Sequence, residues 1–362
     1  MPDEHIDATW PVIDVSTLLS ECTSPHETNT LADALCRACR EFGFFTVKLQ
    51  PHATEAGLNA TLSALATHVY PLANEIEPNV SGASSSSTRS LASPVVSFDD
   101  CRAWFARSSE EKLHYALKNG KGYQKLGQNI TENRMDAHEA IDFYRPSRVS
   151  VPGTLLGPHP DVGDECLLRS VNARAKALTR LGKKVMRCIA RGLNMSDDAF
   201  EDDIAGVPFW IMRLISSPAM TSDDEGEYKI SCGAHVDYGL LTFLDASMGG
   251  LQIEIKRGEW IDVPYMPGTL VCNIGEMLAR CTSYQFKATK HRVIRRREHG
   301  DDARISIAFF YEPNYDAEIK PLVENSYTNN LSADECAALR TVTVYADFLN
   351  SKVASNFVAG DK

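Results

Sequence analysis

From about residue 207 onward, the chain consists of short apolar or alternating segments separated by glycine, proline and aspartate. Each segment is four to eight residues long, which is typical of strands and too short for most helices. Many short strands with turn residues between them predict a β-sandwich or a β-barrel. The segments lie at 208–215, 240–244, 251–255, 260–263, 269–274, 292–296 and 304–311.

The first half of the chain, in contrast, has apolar residues mostly at helical spacing. The capping box Ser24–Glu27, with proline at the first helical position, opens the first helix. A second capping box, Ser332–Glu335, opens a last helix that runs through Phe348. We therefore expect a mainly β protein with flanking α-helices. Further helices are expected at 55–72, 98–117 and 164–193, and short strands at 11–16 and 43–47.

These patterns divide the chain into three expected parts. They are a mixed helical N-terminal domain over 1–150, a β core over 151–320 preceded by a long helix, and a helical tail over 321–362. The N-terminal part contains the low-complexity, serine-rich stretch 81–94, a composition typical of a surface loop.

The charge of the chain restricts its partners. It has 48 acidic and 37 basic residues, a formal net charge of −11, whereas nucleic-acid binding usually needs a basic surface. The N-terminus lacks the features of a secretory signal, and no stretch approaches the ~18 apolar residues of a membrane span. The ten cysteines are then expected to be reduced, and Cys36-x-x-Cys39 to pack in the core rather than bind zinc. We expect a cytoplasmic monomer or weak homodimer with no nucleic-acid or membrane partner.

A pair of metal-ligand residue types stands at His235-Val236-Asp237. If 234–238 is extended, the side chains of His235 and Asp237 point the same way, because alternate residues of a strand share a face. His291 follows Asp237 by 54 residues, at the start of another strand-like segment. Two histidines and one carboxylate suit Fe(II), although zinc accepts the same ligands.

A second polar pair, Arg304 and Ser306, lies in the last segment of the β core. The same alternation places both side chains on one face, with Ile305 and Ile307 on the other. An arginine that faces a β core is costly unless it meets an anion, and its guanidinium binds carboxylates in a fork. The pair therefore predicts a site for an anionic co-substrate near the metal.

Each of these short motifs is weak alone, but in combination they resemble the iron(II)/2-oxoglutarate-dependent dioxygenases, in the branch that includes isopenicillin N synthase. That family has H-x-D, a distal histidine about 50 residues later, and then R-x-S. The likeness covers about residues 11–315. It also includes the segments Gly249–Gln252, Trp260–Pro264, Pro267–Val271, Asn273–Leu278, Lys287–Val293 and Asp136–Glu139.

The resemblance implies a double-stranded β-helix, or jelly-roll barrel, with helices packed outside. It implies Fe(II) held by His235, Asp237 and His291, and 2-oxoglutarate held through its C5 carboxylate by Arg304 and Ser306. O₂ is the other co-substrate, and ascorbate is a further candidate cofactor. The expected reaction is oxidation of a small organic molecule, most commonly hydroxylation, with release of succinate and CO₂.

Two alternatives stay open at this stage. One is an oxidase of the same fold that uses no 2-oxoglutarate, such as isopenicillin N synthase or aminocyclopropane-carboxylate oxidase. The other is a non-catalytic jelly-roll binding protein, which would have no need of three metal ligands. Ser217 stands where many relatives carry a tyrosine that contacts the keto acid. Arg213 is expected to form a barrel-wall salt bridge or to bind an acidic substrate, and Arg295–Arg297 to be a solvated strand end.

Overall fold

The computed structural model describes residues 10–20, 24–67, 95–116, 121–147, 150–151, 154–324 and 331–355. The serine-rich stretch 81–94 lies outside the described residues. The strands are β1 (Val12–Asp14), β2 (Phe44–Lys48), β3 (Gly122–Gln124), β4 (Ile130–Thr131), β5 (Arg134–Met135), β6 (Glu139–Tyr144), β7 (Trp210–Ser217), β8 (Tyr228–His235), β9 (Leu241–Ala246), β10 (Leu251–Lys256), β11 (Glu259–Asp262), β12 (Leu270–Ile274), β13 (His291–Arg296), β14 (Arg304–Tyr311), β15 (Glu318–Ile319) and β16 (Thr343–Val344). The α-helices are α1 (Pro25–Glu41), α2 (Glu55–Thr67), α3 (Phe98–Phe105), α4 (Ser109–His114), α5 (Glu165–Gly192), α6 (Glu276–Cys281), α7 (Ala333–Ala338) and α8 (Tyr345–Ser355).

Two sheets form the β core. The large sheet has eight strands in the order β1-β2-β12-β9-β14-β7-β6-β3, and the small sheet has four in the order β11-β10-β13-β8. Apart from the parallel pair β1–β2, the pairings within both sheets are antiparallel. From β7 to β14, successive strands alternate between the sheets, except for the β10–β11 hairpin. This alternation is that of a double-stranded β-helix, so the fold prediction is confirmed.

The large sheet has a helical layer on its outer face. On β14, alternate residues from Ile305 to Tyr311 belong to the main core together with residues of the long helix α5. A Cβ atom at Gly182 of α5 would lie 2.6 Å from the Tyr311 ring, so the close approach of helix and sheet requires glycine there. The intervening residues of β14, among them Arg304 and Ser306, consequently face the small sheet.

The space between the sheets has its own smaller apolar cluster. Its buried members are Phe42, Phe44, Leu251, Ile253 and Val263. This cluster fills one part of the inner space, and the polar side chains discussed below lie in the same space. The inner space of the barrel therefore contains both an apolar cluster and a group of polar side chains.

The structure differs from the sequence predictions in three places. The predicted helix 98–117 is two helices, because Ser108 caps α4 by accepting a hydrogen bond from the Glu111 amide. The predicted last helix is likewise divided into α7, which ends at Ala338, and α8, because β-branched residues between them form β16, which pairs with β15. The N-terminal half is also less helical than expected, since β3 and β6 extend the large sheet. The three-part division of the chain stays a prediction.

Six of the nine described cysteines are buried. Cys36 and Cys39 are fully buried on α1, as core packing requires. Among the described residues, nine cysteines are free thiols. In the same part of the chain, no helix has the length and apolar character needed to cross a membrane.

Candidate active site

The two histidines of the predicted triad lie side by side in the small sheet. His235 is the last residue of β8 and His291 the first of β13, and the two are register partners. Their ring centroids are 4.3 Å apart. Asp237 lies beyond the end of β8, where its carbonyl accepts a hydrogen bond from the amide of Glu276 at the start of α6. The extended segment thus ends two residues before the aspartate, and the turn that follows brings its side chain to the rings.

Each histidine presents the same ring nitrogen to the carboxylate. The Nε2 atoms of His235 and His291 lie 3.5 and 3.6 Å from Oδ1 of Asp237. The Nδ1 atoms lie 2.8 Å from the carbonyl of Gly233 and 3.1 Å from that of Thr289. Because a carbonyl only accepts, each Nδ1 carries a hydrogen, and Nε2 is in each ring the nitrogen that faces the carboxylate. Three ligand atoms, two nitrogens and one oxygen, therefore converge.

The second oxygen of Asp237 is held by donors from two strands of the large sheet. Oδ2 accepts hydrogen bonds from Thr242 Oγ1 at 2.5 Å and from Asn273 Nδ2 at 2.7 Å. Thr242 and Asn273 are register partners on β9 and β12. Such contacts fix a ligand carboxylate so that its other oxygen faces the metal. Neither residue was predicted from the sequence to support the site, although a polar residue within an apolar strand is a signal for each.

The protonation states partly prepare the site for a cation. Burial alone would raise the pKa of Asp237, but His291, His235 and the Thr242 hydroxyl together hold it below its usual range. Burial and the neighbouring His235 lower the pKa of His291 to about 4. Burial alone would lower the pKa of His235, but Cys232 and Asp237 raise it. A metal ion would therefore meet an ionised carboxylate and one neutral imidazole, and its binding would release a proton from the other imidazole.

The donor set fits an Fe(II) ion of the facial-triad type, in which two histidines and one carboxylate leave several coordination positions open. A second cluster, Asp136, His138 and Cys232, also brings ligand atoms together. The oxygens of Asp136 are, however, engaged by the Gly233 amide and the Thr131 hydroxyl, both at 2.8 Å. That cluster ties β8 to the preceding loop and fits a metal less well.

Arg304 and Ser306 lie on the inner face of β14, as predicted, and are 2 % and 1 % exposed. The Arg304 guanidinium donates to the carbonyls of Met248 and Gly249 at 3.2 and 2.9 Å and to Ser306 Oγ. Burial and the neighbouring Arg295 lower the pKa of Arg304 to about 10. Among the described residues, no acidic side chain forms an ion pair with it. A buried arginine with only neutral acceptors is suited to an anionic ligand.

The prediction for Arg295 was wrong, because this residue is fully buried. Its guanidinium donates to the carbonyls of Gly300 and Asp302, at 3.3 and 2.8 Å, and contacts Met248 Sδ. The alternation along β13 explains the burial, since Arg295 shares the inward face of His291. A second buried cation beside Arg304 strengthens the attraction for an anion there.

The structure also describes Ser217 and Arg213. Ser217 is 2 % exposed and is the register partner of Arg304. Arg213 forms a salt bridge in the barrel wall, the favoured of its two alternatives, donating from Nε and Nη2 to the two oxygens of Asp142 at 2.6 and 2.7 Å. Asp142 also accepts from Gln124 Nε2 at 2.7 Å. Burial alone would lower the pKa of Arg213, but Asp142 raises it.

The comparisons with known proteins agree with this geometry. Residues 211–313, which contain all five predicted site residues, match the model of the 2OG-Fe(II) oxygenase superfamily. The chain is 33 % identical to homoarginine-6-hydroxylase 2-ODD-C23 of Glycine max, over 96 % of this chain and 97 % of that protein. It is likewise 33 % identical to homoarginine-6-hydroxylase 2-ODD-C23.1 of Arabidopsis thaliana, with the same coverage of both chains.

Solved structures share the fold. A full-length Neurospora crassa protein, solved in complex with alpha-KG and thymine, superposes with a TM-score of 0.69 at 22 % identity, over 96 % of both chains. JOX2 in complex with 2OG, Fe and JA superposes with a TM-score of 0.63 at 20 % identity, over 97 % of this chain and 89 % of that chain. The identity to the hydroxylases over nearly the whole length of both chains goes beyond the fold. The chain belongs to the 2OG-Fe(II) oxygenase superfamily and is an Fe(II)- and 2-oxoglutarate-dependent dioxygenase that oxidises a small organic substrate with release of succinate and CO₂.

Proposed function

We propose that this enzyme hydroxylates an amino acid with a basic side chain, with homoarginine as the first compound to test. The observation that carries the proposal is the identity to two homoarginine-6-hydroxylases over nearly the full length of each chain. Charged groups on the inner wall of the barrel support it. An amino acid of this class carries a carboxylate at one end and a cation at the other, so its site needs both an arginine and an acid.

We propose that His235, Asp237 and His291 hold Fe(II), and that Arg304 and Ser306 bind the C5 carboxylate of 2-oxoglutarate. When bound, the metal and the keto acid together activate O₂ for oxidation of a C–H bond. The contribution of the chain is to hold the ligand atoms. The Thr242 hydroxyl fixes the carboxylate of Asp237, and the carbonyls at Gly233 and Thr289 fix the rings. Because Arg304 is buried, water would be excluded from its ion pair with the C5 carboxylate of 2-oxoglutarate, and the attraction between the two charges would be stronger.

Arg213 is the proposed anchor for the substrate carboxylate. It is the register partner of Ala308, and so shares the inner face of the large sheet with Arg304 and Ser306. Its two described hydrogen bonds use Nε and Nη2, which leaves Nη1 to donate to a ligand. Asp142 holds the guanidinium in one orientation, so little side-chain entropy is lost when a carboxylate binds.

Succinate formation tests the proposed substrate. The purified protein with Fe(II) and 2-oxoglutarate is supplied with homoarginine, arginine, lysine or leucine, and succinate is measured against a reaction without amino acid. We expect homoarginine to stimulate succinate release and leucine to have no effect. A His235→Ala variant, which lacks one ligand, serves as the inactive control. Stimulation by neutral compounds with none by any basic amino acid would refute the substrate class.

Three further proposals concern the location of the protein, its partners and its branch of the superfamily. We propose a cytoplasmic location, supported by the nine free thiols among the described residues. We propose that the protein is a monomer or a weak homodimer. We propose that it has no nucleic-acid partner, in keeping with its net charge of −11. We also propose the isopenicillin N synthase-like branch of the superfamily, on the motif order described above.

A further inference from the structure

Glu312 is a buried acid that the proposed reaction does not yet use. It follows β14 directly, and its amide donates to the carbonyl of Phe209 at 3.1 Å, which continues the strand pairing by one residue. Alternation along the strand places Glu312 on the inner face of Arg304 and Ser306, since Tyr311 packs in the outer core. Glu312 therefore faces the space between the sheets, at the end of β14 opposite to Arg304.

This end of β14 is also the end at which the metal-ligand atoms converge. Thr242, which donates to Asp237, is the register partner of Phe310, two residues before Glu312. Gly239, two residues after Asp237, lies directly against the acid, since a Cβ atom there would overlap Glu312 Oε2. The chain after the metal-ligand aspartate can pass so close only because residue 239 has no side chain.

Within the described residues, the Glu312 carboxyl has no cationic partner. Glu312 is 2 % exposed, and the hydroxyl of Tyr345, on α8, donates to its Oε2 at 2.5 Å. No lysine, arginine or histidine in the described part of the chain forms an ion pair with it. Burial raises the pKa of Glu312 to about 8, and the negative charge of Asp237 adds to the rise. Without a ligand, the carboxyl is largely protonated at neutral pH.

We propose that Glu312, held by Tyr345, is the subsite that binds the cationic end of the substrate. A guanidinium or ammonium group would supply the missing countercharge and form a charge-assisted hydrogen bond. This inference rests on the proposed function and deepens it, because it adds a partner for the second charge of a basic amino acid. Arg213 and Glu312 are separated by about four residues along the inner face, roughly 13 Å at the strand rise, so they can bind the two ends of an extended amino acid.

The position of the acid also predicts where the substrate is oxidised. Gly239, two residues after Asp237, lies directly against Glu312, so the proposed subsite places the cationic end of the substrate beside the metal-ligand residues. The oxidised carbon should lie near the cation.

Binding without turnover tests this subsite. The protein is loaded with Mn(II) and 2-oxoglutarate without O₂, and homoarginine or homocitrulline is titrated in by calorimetry. Homocitrulline has the same length, with a neutral ureido group in place of the guanidinium. Since a hydrogen bond to a charged group contributes about 1.5–3 kcal/mol, wild type should prefer homoarginine by roughly tenfold to hundredfold. Glu312→Gln should reduce this preference to less than threefold, within roughly 0.6 kcal/mol.

Two variants serve as controls. Glu201→Gln removes a carboxylate that pairs with Arg187 on the surface and should keep the wild-type preference. Glu312→Asp keeps the charge and should keep most of the preference, even where Glu312→Gln folds poorly. An unchanged preference in Glu312→Gln, a lost preference in Glu312→Asp, or no preference in wild type would overturn the proposal. Because O₂ is absent, a failure here is distinct from failure of homoarginine to stimulate succinate release.

Discussion

Replacing Thr242 with valine removes a hydroxyl from the proposed metal site while keeping the shape of the side chain. Thr242 is 5 % exposed and donates to Asp237 Oδ2 at 2.5 Å. A hydrogen bond to a charged group contributes about 1.5–3 kcal/mol. The bond exists with and without metal, so only part of this energy enters the metal affinity. Asn273 still holds the same oxygen, so we expect about a tenfold loss, the lower end of the effects of such supporting residues.

Calorimetric titration with Mn(II) or Fe(II) under anaerobic conditions measures the effect. The double variant Thr242→Val/Asn273→Leu removes both donors and should lose about a hundredfold in metal affinity. The matched control is Thr282→Val, at a fully buried threonine whose hydroxyl donates to the Leu278 carbonyl at 2.9 Å. This control should lose about 1 kcal/mol of stability and keep its metal affinity. The reasoning fails if Thr242→Val folds and binds metal within twofold of wild type, or if Thr282→Val weakens binding equally.

Three other predictions concern the remaining charges of the inner face. Arg304→Gln should raise the 2-oxoglutarate concentration for half-maximal succinate formation by about two orders of magnitude, since a charge-assisted pair is lost; an unchanged requirement would contradict the assignment. Asp142→Ala leaves the guanidinium of Arg213 without its partner and should lower the free energy of urea unfolding by about 3 kcal/mol, and a loss below ~1 kcal/mol would show that the pair is well solvated. Glu312 has a folded-state pKa of about 8 against an ordinary value of 4.5, so its contribution to stability is present below pH 4.5 and is lost as the pH rises to 8, where the unfolded state holds fewer protons. Relative to wild type, Glu312→Gln should therefore gain about 3–4 kcal/mol of unfolding free energy between pH 5 and pH 8, by denaturation at both values, and parallel pH profiles would refute this.

The five predicted site residues show how far alternation along a strand can be used. The rule correctly placed Arg304 and Ser306 on the inner face and Ile305 and Ile307 on the outer face. The rule needs only the spacing of residues within one strand, and this spacing can be counted in the sequence. For Asp237 the rule correctly predicted that the carboxylate lies beside His235, but strand alternation is not the whole cause. The strand β8 ends at His235, and a turn then brings the carboxylate to the rings.

Contacts between residues far apart in the chain could not be predicted from local sequence patterns. Asp142 meets Arg213 across 71 residues because β6 and β7 are neighbours in the large sheet, and no local pattern specifies which strands become neighbours. Tyr345 reaches Glu312 only because a β-branched stretch interrupts the predicted last helix and redirects the chain. The burial of Arg295 was within reach, since it shares the strand face of His291.

The distribution of charge along β14 suits the two proposed ligands of opposite charge, with one at each end of the inner face. At one end, Arg304 is buried beside Arg295, and no acid in the described chain pairs with Arg304. At the other end, Glu312 faces the site beside Asp237, and burial there favours whichever ligand restores electroneutrality. A keto acid placed at the acidic end would meet the ionised carboxylate of Asp237, and a guanidinium placed at the basic end would meet two arginines. Either arrangement places like charges together in a medium of low dielectric constant, where repulsion costs several kcal/mol. We therefore expect the face to select each proposed ligand partly by excluding the other from its end, and we expect removal of the Glu312 carboxylate to weaken discrimination at that end only.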